Sequence, residues 1–375
     1  MIEGKTIVCF ASGYDAPPTS KHHVMHRLAE RNVVLWVNYH ASRAPSASAS
    51  DFLWICKKLG KVFRGTKTVR KNLHVLTPLV VPLPGRSWAR KLNRWLLRRA
   101  LRRAIKRFGS GEVDVWSFAP DVEYALDALS PSRVVYYCVD DFAHFSGYDT
   151  QQILRDEEAL ARRADLVITT SKPLLDTKAS WNPNTILIPH GVEYDHFASA
   201  KQATPPEALT AIAQPRFGFF GLIRDWIDLE LLVEVARRQP AWQFVLLGDS
   251  TEDLSAAKSL SNVHCVGPVP YADLPAWCAG FDVGLIPFKR NELTEAVNPI
   301  KLREYLAAGL PVISSRLPEV VEYDQWVEFA DTPDEFIAAA ERALARTPAQ
   351  HAAAQEAMRS ETWEAKLAEI ESHLS

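Results

Sequence analysis

The sequence contains few of the residues that stabilise small secreted or metal-binding proteins. In 375 residues it has five cysteines, and no two of them form a C-x-x-C pair: Cys9, Cys56, Cys138, Cys265 and Cys278. This odd, scattered set predicts neither a disulfide framework nor a zinc site, and it is typical of proteins in a reducing cytosol.

Long apolar segments are also lacking. Runs such as Leu76–Leu83 and Val134–Val139 are far shorter than the roughly 18 residues that cross a bilayer. The N-terminus, MIEGK, is too acidic and its apolar stretch too short to predict a signal peptide. No predicted strand is followed by G-x-G-x-x-G, which disfavours a NAD-dependent oxidoreductase. We expect a soluble or peripheral cytoplasmic protein.

One segment has no acidic residue at all. Phe52–Gly111 contains 17 Lys or Arg, whereas the other 315 residues carry 26 basic and 45 acidic side chains, a formal net charge of −19. The segment divides into a loop-like stretch, Lys57–Lys71, and a predicted helix over Arg86–Phe108. Ten basic residues of the helix alternate with Trp88, Leu92, Trp95, Leu96, Leu101, Ile105 and Phe108.

This composition predicts a surface for an anionic membrane or a lipid-linked acceptor. A solvated helix packed on its sheet is the plainer alternative, and nucleic-acid binding is a third that we do not expect.

Strand and helix patterns alternate along the chain in two series, which predicts two doubly wound α/β domains. The first series has strands at Thr6–Phe10, Val33–Val37, Leu73–Leu76, Val113–Ser117, Val134–Cys138, Leu166–Thr170 and Thr185–Ile188. The second has strands at Arg216–Phe220, Gln243–Leu247, Val263–Val266, Val283–Pro287 and Val312–Ser314. The Pro-containing stretch Ala198–Pro206 has the composition of a linker. The predicted domains are residues 1–197, with the basic segment 52–111, and 207–345, followed by C-terminal helices over 346–375.

A short helix in the second domain has both ends specified. Asn298 suits the N-cap, Pro299 the first helical position and Gly309 the termination. Lys301 and Glu304 lie three residues apart in its first two turns. A helix N-terminus beside a lysine can bind phosphate, and a carboxylate one turn later can accept from ribose hydroxyls. The alternative is an ordinary amphipathic helix with a solvated Lys–Glu pair.

Two neighbouring loops favour a nucleotide. Phe217–Arg224 is a strand that runs into a turn at Gly221, where the backbone can approach a phosphate and Arg224 is close by. Asn262–Pro275 is a strand followed by a Gly/Pro loop that could contact a nucleobase.

Four motifs carry a family resemblance. IPHGVEYDHF (188–197) is similar to an I-P-N-G-V-D-x-x-x-F signature between domains, and residues 262–275 with 281–288 are similar to N-V-x-x-x-G-x-V-P-Y-x-x-L-P and F-D-V-x-L-x-P-F. Residues 299–312 match an E-Y-L-A-x-G-x-P-V helix and strand, and Thr362–Glu364 open a last helix. The sequence thus resembles the GT-B glycosyltransferases, especially family-4-like bacterial polysaccharide enzymes and their relatives in teichuronic acid and xanthan synthesis.

The resemblance implies two Rossmann-like domains facing across a cleft, with the C-terminal helices over 346–375 returning to the N-terminal domain and the last of them crossing back onto it. Lys301 would bind the donor diphosphate, Glu304 the ribose and the Val266–Val269 loop the base. The implied donor-binding residues are Gly221, Arg224, His190, Val266, Gly267, Val269, Asn298, Ile300, Lys301 and Glu304. Basic side chains and helix dipoles, without a metal or other cofactor, would stabilise the leaving diphosphate.

The chain departs from the family pattern at two places, and the second of them leaves the anomeric outcome open between inversion and retention. Ile227 replaces the lysine of the G-R-L-x-x-x-K-G loop, so Arg224 is a candidate substitute. The E-x7-E pattern of retaining members requires Glu at position 296, where this chain has Ala296, and Glu295 is one residue out of register.

Acceptor chemistry is predicted at the end of the strand Val134–Cys138. Asp140 and Asp141 follow this strand, and adjacent carboxylates can raise one another's pKa. The resemblance favours Asp141 as general base. The loop and helix start after the first strand supply acceptor-loop candidates, Gly13, Asp15 and His22, and the further catalytic candidate His23. A strand-ending turn and surface histidines are the alternatives.

We therefore predict a peripheral glycosyltransferase of the hexosyltransferase type on the inner face of the cell membrane. It would move a sugar from a UDP-linked donor to a polyprenyl-linked or growing glycan in exopolysaccharide biosynthesis. A GT-B sugar-nucleotide epimerase and a non-enzymatic nucleic-acid-binding protein are the alternatives.

Overall fold

The computed structural model describes residues 1–39, 65–81, 83 and 86–374. These residues form two compact units, Met1–Pro189 with Leu367–Ser375, and His190–Lys366. Strands and helices alternate in both, which confirms the predicted α/β class. Residues 40–64, which include the first part of the predicted basic segment, lie outside the described residues.

The described part of the first unit contains an eight-stranded sheet with the order β3-β4-β2-β1-β5-β6-β7-β8. All neighbours are parallel except β3 and β4. The strands are β1 (Thr6–Ala11), β2 (Val33–Asn38), β3 (Lys67–Arg70), β4 (Leu73–Leu76), β5 (Val113–Ser117), β6 (Arg133–Cys138), β7 (Leu166–Thr169) and β8 (Thr185–Leu187). The helices are Ser20–Leu28, Ser87–Phe108, Glu123–Leu126, Thr150–Arg163 and Lys172–Lys178.

The second unit has a six-stranded parallel sheet with the order β11-β10-β9-β12-β13-β14. Its strands are β9 (Arg216–Phe220), β10 (Gln243–Leu247), β11 (Val263–Gly267), β12 (Val283–Ile286), β13 (Val312–Ser314) and β14 (Val327–Phe329). The helices are Tyr194–Ala198, Glu207–Thr210, Leu229–Arg238, Ser255–Lys258, Leu274–Cys278, Glu292–Glu295, Ile300–Ala307, Pro318–Val321, Pro333–Leu344 and Pro348–Ala357. The last helix, Trp363–His373, starts in this unit and ends in the first.

Several boundaries differ from the prediction. Lys67–Arg70 was expected to be loop but forms β3, an edge strand with no fully buried residue and hence no hydrophobic alternation. The three-residue strand β14 is also too short to give a pattern.

The division of the chain also differs from the expected one. The units separate between Pro189 and His190, and the expected linker Ala198–Pro206 lies inside the second unit, where residues 199–202 form a 3₁₀ turn. The helix Pro348–Ala357, expected with the first domain, belongs to the second.

A buried ion pair lies beneath the carboxyl end of β6. Lys178 Nζ is 2.9 Å from Glu157 Oε2, and the two side chains are 2% and 0% exposed. The Glu157 carboxylate also accepts hydrogen bonds from the Tyr136 hydroxyl (2.6 Å) and the Cys138 thiol (3.4 Å). The Lys178 ammonium thus neutralises the Glu157 carboxylate, and the two hydrogen-bond donors stabilise that carboxylate further, as a buried ion pair requires.

Removing one partner should therefore cost much more stability than removing an exposed charge. We expect Lys178→Met to lower the free energy of unfolding by about 3–5 kcal/mol, because it leaves the Glu157 carboxylate buried without its cation. Arg162→Met, which removes an exposed ion pair with Glu158, is the matched control and should change it by under about 1 kcal/mol. Equal urea-unfolding midpoints for the two variants would contradict this account.

Candidate functional site

The strand order of the second unit creates one crevice at the carboxyl edge of its sheet. The chain proceeds outward from β9 to β10 and β11 on one side, and from β12 to β13 and β14 on the other. Ligands of doubly wound sheets bind where the order reverses, here between β9 and β12. Gly221 follows β9 directly, and the helix Ile300–Ala307 lies between β12 and β13 in the chain.

Three glycines with positive φ end the strands on one side of this point. Gly221, Gly248 and Gly267 have φ values of 137°, 156° and 90°. The Gly221 amide donates to the Leu247 carbonyl and the Gly248 amide to the Gly267 carbonyl, both at 2.8 Å. A Cβ at residue 248 would overlap the Gly221 carbonyl oxygen. Because they lack side chains, the three glycines leave the backbone bare at these strand ends, which we call the glycine rim. The amides of Gly221 and Gly248 connect the strand ends by hydrogen bonds.

Lys301 lies against this rim. A Cβ at residue 221 would overlap Lys301 Cε and would be 2.6 Å from Nζ. The ammonium nitrogen is also 5.7 Å from the centre of the Phe219 ring. The structure therefore brings together two of the predicted donor residues, Gly221 and Lys301, with a cation in the first turn of a helix at the switch point.

Glu304 lies one turn after Lys301 and is only 4% exposed. Burial raises the pKa of its carboxyl group to about 7, with the nearby Lys301 ammonium acting in the opposite direction. The group therefore exchanges its proton near neutral pH, which is unusual for a glutamate and typical of a binding site.

Asn298 does not cap the helix as predicted. The helix begins at Ile300, its N-cap is Pro299, and no side chain caps it. The buried Asn298 amide nitrogen instead donates to Glu319 Oε2 at 2.9 Å, and its oxygen accepts from the Arg303 guanidinium at 2.8 Å. Asn298 thus fixes the start of the helix through an interior polar network.

Arg224 connects two loops of the rim. Its guanidinium donates to the Asp249 carbonyl at 2.8 Å and to the Asp249 carboxylate at 3.0 Å. This arginine therefore ties the loop after β9 to the loop after β10, a structural task that the sequence pattern did not indicate.

The loop Val266–Val269, which was predicted to contact a base, exposes an apolar side chain and contains a glycine with open space beside it. Val266 is 42% exposed, and Val269 is partly buried against the core of the unit. Between them lies Gly267, which has open space around the position of a Cβ.

His190 is buried, and its ring centre lies 5.9 Å from that of Trp363. The next residues continue this contact, since the Val192 amide donates to the Glu361 carbonyl at 2.8 Å. A Cβ at Gly191 would be 2.8 Å from the Trp363 nitrogen. Residues 190–192 and the start of the last helix therefore pack together within the second unit.

The carboxyl edge of the first sheet gathers the predicted acceptor residues. The strand order reverses between β1 and β5. Gly13 and Asp15 follow β1, and Asp140 and Asp141 follow β6. Burial lowers the pKa of Lys21, at the start of the helix after β1, and the Asp140 carboxylate partly offsets this. The loops after β1 and β6 are therefore electrostatically coupled.

His22 and His23 are buried, so the alternative of surface histidines is wrong. His22 Nδ1 accepts from the Thr19 amide at 3.2 Å, and Nε2 lies 3.1 Å from the Tyr14 carbonyl oxygen. Burial, reinforced by the Lys21 charge, lowers the pKa of His22 to about 3. This neutral ring closes a capping box and holds the loop after β1 in place.

Asp141 forms a pair that was not predicted. Its Oδ2 lies 2.7 Å from His144 Nδ1, across a single 3₁₀ turn formed by residues 142–144. Neither His144 nor Lys21 was singled out from the sequence. The available signal was the three-residue spacing of Asp141 and His144, which places two side chains on one side of such a turn.

Comparison with known proteins shows similarity in both sequence and fold. Residues 214–346 match the family of glycosyl transferases group 1. The Bacillus subtilis (strain 168) protein TuaH, named as a putative teichuronic acid biosynthesis glycosyltransferase, is 30% identical over 251 residues. The alignment covers 61% of this chain and 63% of TuaH.

A second relative comes from Arabidopsis thaliana and is named as one subunit of a phosphatidylinositol N-acetylglucosaminyltransferase. It is 26% identical over 55% of this chain and 47% of that protein. The chain therefore spans less than two thirds of the length of either relative.

The fold is shared with Anabaena Alr3699/HepE, solved in complex with UDP and glucose. The TM-score is 0.69 at 15% identity, with 99% of both chains covered. Residues 214–346 are thus similar in sequence to the glycosyl transferases group 1 family. The fold of the chain is GT-B, as the resemblance implied.

The matched segment, residues 214–346, contains every predicted donor residue except His190. It also contains the departure from the E-x7-E pattern. Ala296 is buried, and the carboxylate of Glu295, one residue earlier, is held by Arg290 at 2.9 Å. Glu295 is thus engaged in an ion pair of the loop before the helix.

The buried Glu304 predicts that the stability of the protein depends on pH. Its pKa of about 7 in the folded protein lies above the ordinary glutamate value of 4.5, so the folded state binds the extra proton between these pH values. Stability should therefore fall as pH rises from about 4.5 to 7, and the full cost of the buried charge persists above 7.

Glu304→Gln should remove this cost. We expect the variant to be more stable than the parent at pH 8 by up to about 3 kcal/mol and nearly equal to it at pH 5. Urea unfolding at both pH values measures this, with the exposed Glu341→Gln as control. A Glu304→Gln variant that gains no stability at pH 8 would show that the carboxylate is well stabilised in the fold.

Proposed function

We propose that this protein is a glycosyltransferase that moves a hexosyl group from a UDP-linked donor to a lipid-linked or growing glycan in surface polysaccharide biosynthesis. One observation carries the proposal: Lys301 lies over the glycine rim at the switch point of the second unit, with Glu304 one turn away. UDP in the HepE complex and the names of the TuaH and phosphatidylinositol transferase relatives support the donor, the pathway class and a lipid-borne acceptor.

Each part of the donor has a candidate partner. The Lys301 ammonium and the first turn of the helix Ile300–Ala307 would neutralise the charge that develops on the leaving diphosphate. Glu304, once ionised, would accept from the ribose hydroxyls, and the half-exposed loop Val266–Val269 would contact the base. The glycine rim lets the diphosphate approach the backbone closely.

The donor site is tested through ligand-dependent stability. A nucleotide at 100 times its Kd stabilises a protein by about 2.7 kcal/mol. We expect UDP to raise the melting temperature of the parent and of the control Lys289→Ala, whose lysine is exposed in the same unit. Lys301→Ala should lose most of this shift. An undiminished shift would remove Lys301 from the site, and no shift in the parent with UDP or GDP would reject the donor proposal.

The helix Ser87–Phe108 supports a peripheral position on the inner face of the cell membrane. It packs on the first unit through one buried stripe, which consists of Ala89, Asn93, Leu97, Leu101 and Ala104. The opposite stripe is exposed and apolar in its first half, with Trp88 at 55%, Leu92 at 39% and Trp95 at 57% exposure.

The second half of the exposed stripe is basic. Arg98, Arg99, Arg102 and Arg103 are all exposed there. Near the start of the helix, Arg90 pairs with Asp156, and Arg94 lies 3.9 Å from Asp127. Tryptophans followed by arginines on one face fit an interfacial helix on an anionic bilayer. Within the described ranges, no helix is both long and apolar enough to cross a membrane.

Vesicle binding tests this surface. We expect the protein to co-sediment with phosphatidylglycerol vesicles more strongly than with phosphatidylcholine vesicles. Trp88→Ser/Trp95→Ser should weaken the anionic binding at least about tenfold, which corresponds to about 1.4 kcal/mol. The control is Leu344→Ser, which changes an apolar residue of the second unit whose exposure is similar to that of Leu92. Indifference to lipid charge and to the tryptophans would leave the helix as a solvated face, and salt-sensitive binding to DNA or RNA would favour the nucleic-acid alternative.

A further inference from the structure

A buried arginine connects the helix Ile300–Ala307 to other segments of the second unit. Arg303 is only 2% exposed. Its guanidinium donates to Asn298 Oδ1 at 2.8 Å and to the Tyr323 hydroxyl at 2.7 Å, and it lies 5.2 Å from the centre of the Tyr323 ring. It also donates to the Glu361 carboxylate at 3.3 Å. Because the guanidinium is planar and its donors have fixed directions, the three acceptors together define one position for it.

Asn298 attaches this network to the first turn of the helix. It lies three residues before Lys301 in the chain. The Asn298 amide nitrogen donates to Glu319 Oε2 at 2.9 Å, so that both polar atoms of its side chain are hydrogen-bonded. Since no side chain caps the helix, the contacts of Asn298 hold the residues just before its first turn in place.

Glu361 connects Arg303 with the segment that precedes the last helix. Its carboxylate lies 2.9 Å from Lys366 Nζ, and its carbonyl accepts from the Val192 amide at 2.8 Å. Although burial acts to raise it, the Arg303 and Lys366 charges lower the pKa of Glu361. The carboxylate is therefore ionised at neutral pH and is compensated by two cations. All of these side chains belong to the second unit.

The packing of the helix does not require such a network. Leu302, Tyr305 and Leu306 already bury one face of the helix in the core of the unit. A buried group of charges contributes little net stability, because the loss of hydration offsets much of the attraction, and apolar residues can fill the same space equally well. Hydrogen bonds from one rigid cation to three acceptors instead favour a single orientation of the helix.

This orientation determines where Lys301 lies. A Cβ at residue 221 would be only 2.6 Å from Lys301 Nζ, so the ammonium group lies directly against the glycine rim. The side chains of a binding site must be held within about 0.5 Å of their working geometry by residues that support them. A small rotation or shift of the helix would therefore change the contacts of its first turn with a ligand.

We propose that Arg303 and Glu361 are positioning residues of the donor site. They hold the first turn of the helix Ile300–Ala307 so that Lys301 and Glu304 can bind a nucleoside diphosphate. Arg303 acts on the helix directly, and Glu361 acts through Arg303. The inference rests on the proposed function and deepens it, because it names residues that would control donor affinity through other side chains.

The first test compares Glu361→Gln with a matched control, Glu356→Gln. Glutamine keeps the shape of the side chain and removes its charge, and Glu356 forms an exposed ion pair with Arg359 nearby in the chain. We expect Glu361→Gln to raise the Kd for UDP about five- to tenfold in isothermal titration, and Glu356→Gln to leave it unchanged. The titrations are made well below the unfolding temperature of each variant, where a loss of stability alone leaves the Kd unchanged.

A double-mutant cycle tests whether Glu361 acts through Arg303. Arg303→Lys keeps the charge but cannot donate in three fixed directions, so it should raise the Kd for UDP at least as much as Glu361→Gln. The double variant should have about the same Kd as Arg303→Lys alone, because both changes remove the same interaction. If Arg303→Lys does not fold, Tyr323→Phe replaces it in the cycle, since it removes one acceptor and keeps the ring, and the same lack of additivity is expected.

Two results would overturn the proposal. One is a folded Glu361→Gln variant with the parental Kd for UDP, whatever its stability, which would limit the network to a role in the fold. The other is a double variant in which the two effects on the Kd multiply, which would mean that Glu361 acts independently of Arg303. Failure of the parent to bind UDP or GDP would instead reject the proposed function, and with it this inference.

Discussion

The close approach of the Gly221 backbone to Gly248 and Lys301 is the constraint on which the rest of the proposed donor site depends. The carbonyl of Gly221 occupies the space of a Cβ at residue 248, and the Lys301 side chain occupies the space of a Cβ at residue 221. Any other residue at these positions would force the strand ends apart or displace the lysine. Because β9 and β10 are adjacent and parallel, both glycines fall at the same edge of the sheet, where the order of strands leaves a crevice.

The buried glutamates of the two units differ in how well their negative charge is compensated. The Glu157 carboxylate has a cation, a phenol and a thiol as partners, all inside the core, so it stabilises one arrangement of the strand beneath Asp140 and Asp141. Glu304 is equally buried, but burial dominates over the Lys301 charge and raises its pKa to about 7. A residue that costs stability in the ligand-free protein is expected where a ligand completes the environment, since hydrogen-bond donors from that ligand would then favour the ionised form.

Much of the fold could be predicted because hydrophobic pattern and strand burial coincide. Strands β4, β5, β9, β10 and β13 begin and end at the predicted residues, and the helix Ser87–Phe108 agrees with its prediction to within one residue. Strand β3 was not predicted because its exposed position at the sheet edge requires no alternation of apolar and polar residues. The units separate at Pro189 and not at the expected linker, because the composition of a linker does not indicate with which sheet its residues pack.

The positions of the candidate site residues were predictable where the backbone conformation determines them, and less so where side-chain contacts do. Gly221 and Lys301 follow from a strand, a turn and a helix start, all of which have sequence signatures. Asn298 was expected to cap its helix, but Arg303 and Glu319 from elsewhere in the fold compete for its side chain. The pairing of His144 with Asp141 depends on a single 3₁₀ turn, and such short turns leave little trace in composition.

The exposed face of the helix Ser87–Phe108 contains much of the basic charge that the sequence concentrates in one segment. A helix that must pack through one stripe usually exposes polar residues opposite, yet here tryptophans occupy the first half of the exposed stripe and arginines the second. Exposed arginines alone would be enough to keep the protein soluble, whereas exposed tryptophans lower solubility. Arginines would attract an anionic surface over a Debye length, and the tryptophans would act only after contact, at the depth of the lipid headgroups. Under the proposed membrane association, the two halves would act in succession during one encounter with a bilayer, which neither the net charge of −2 nor the helix pattern alone would suggest.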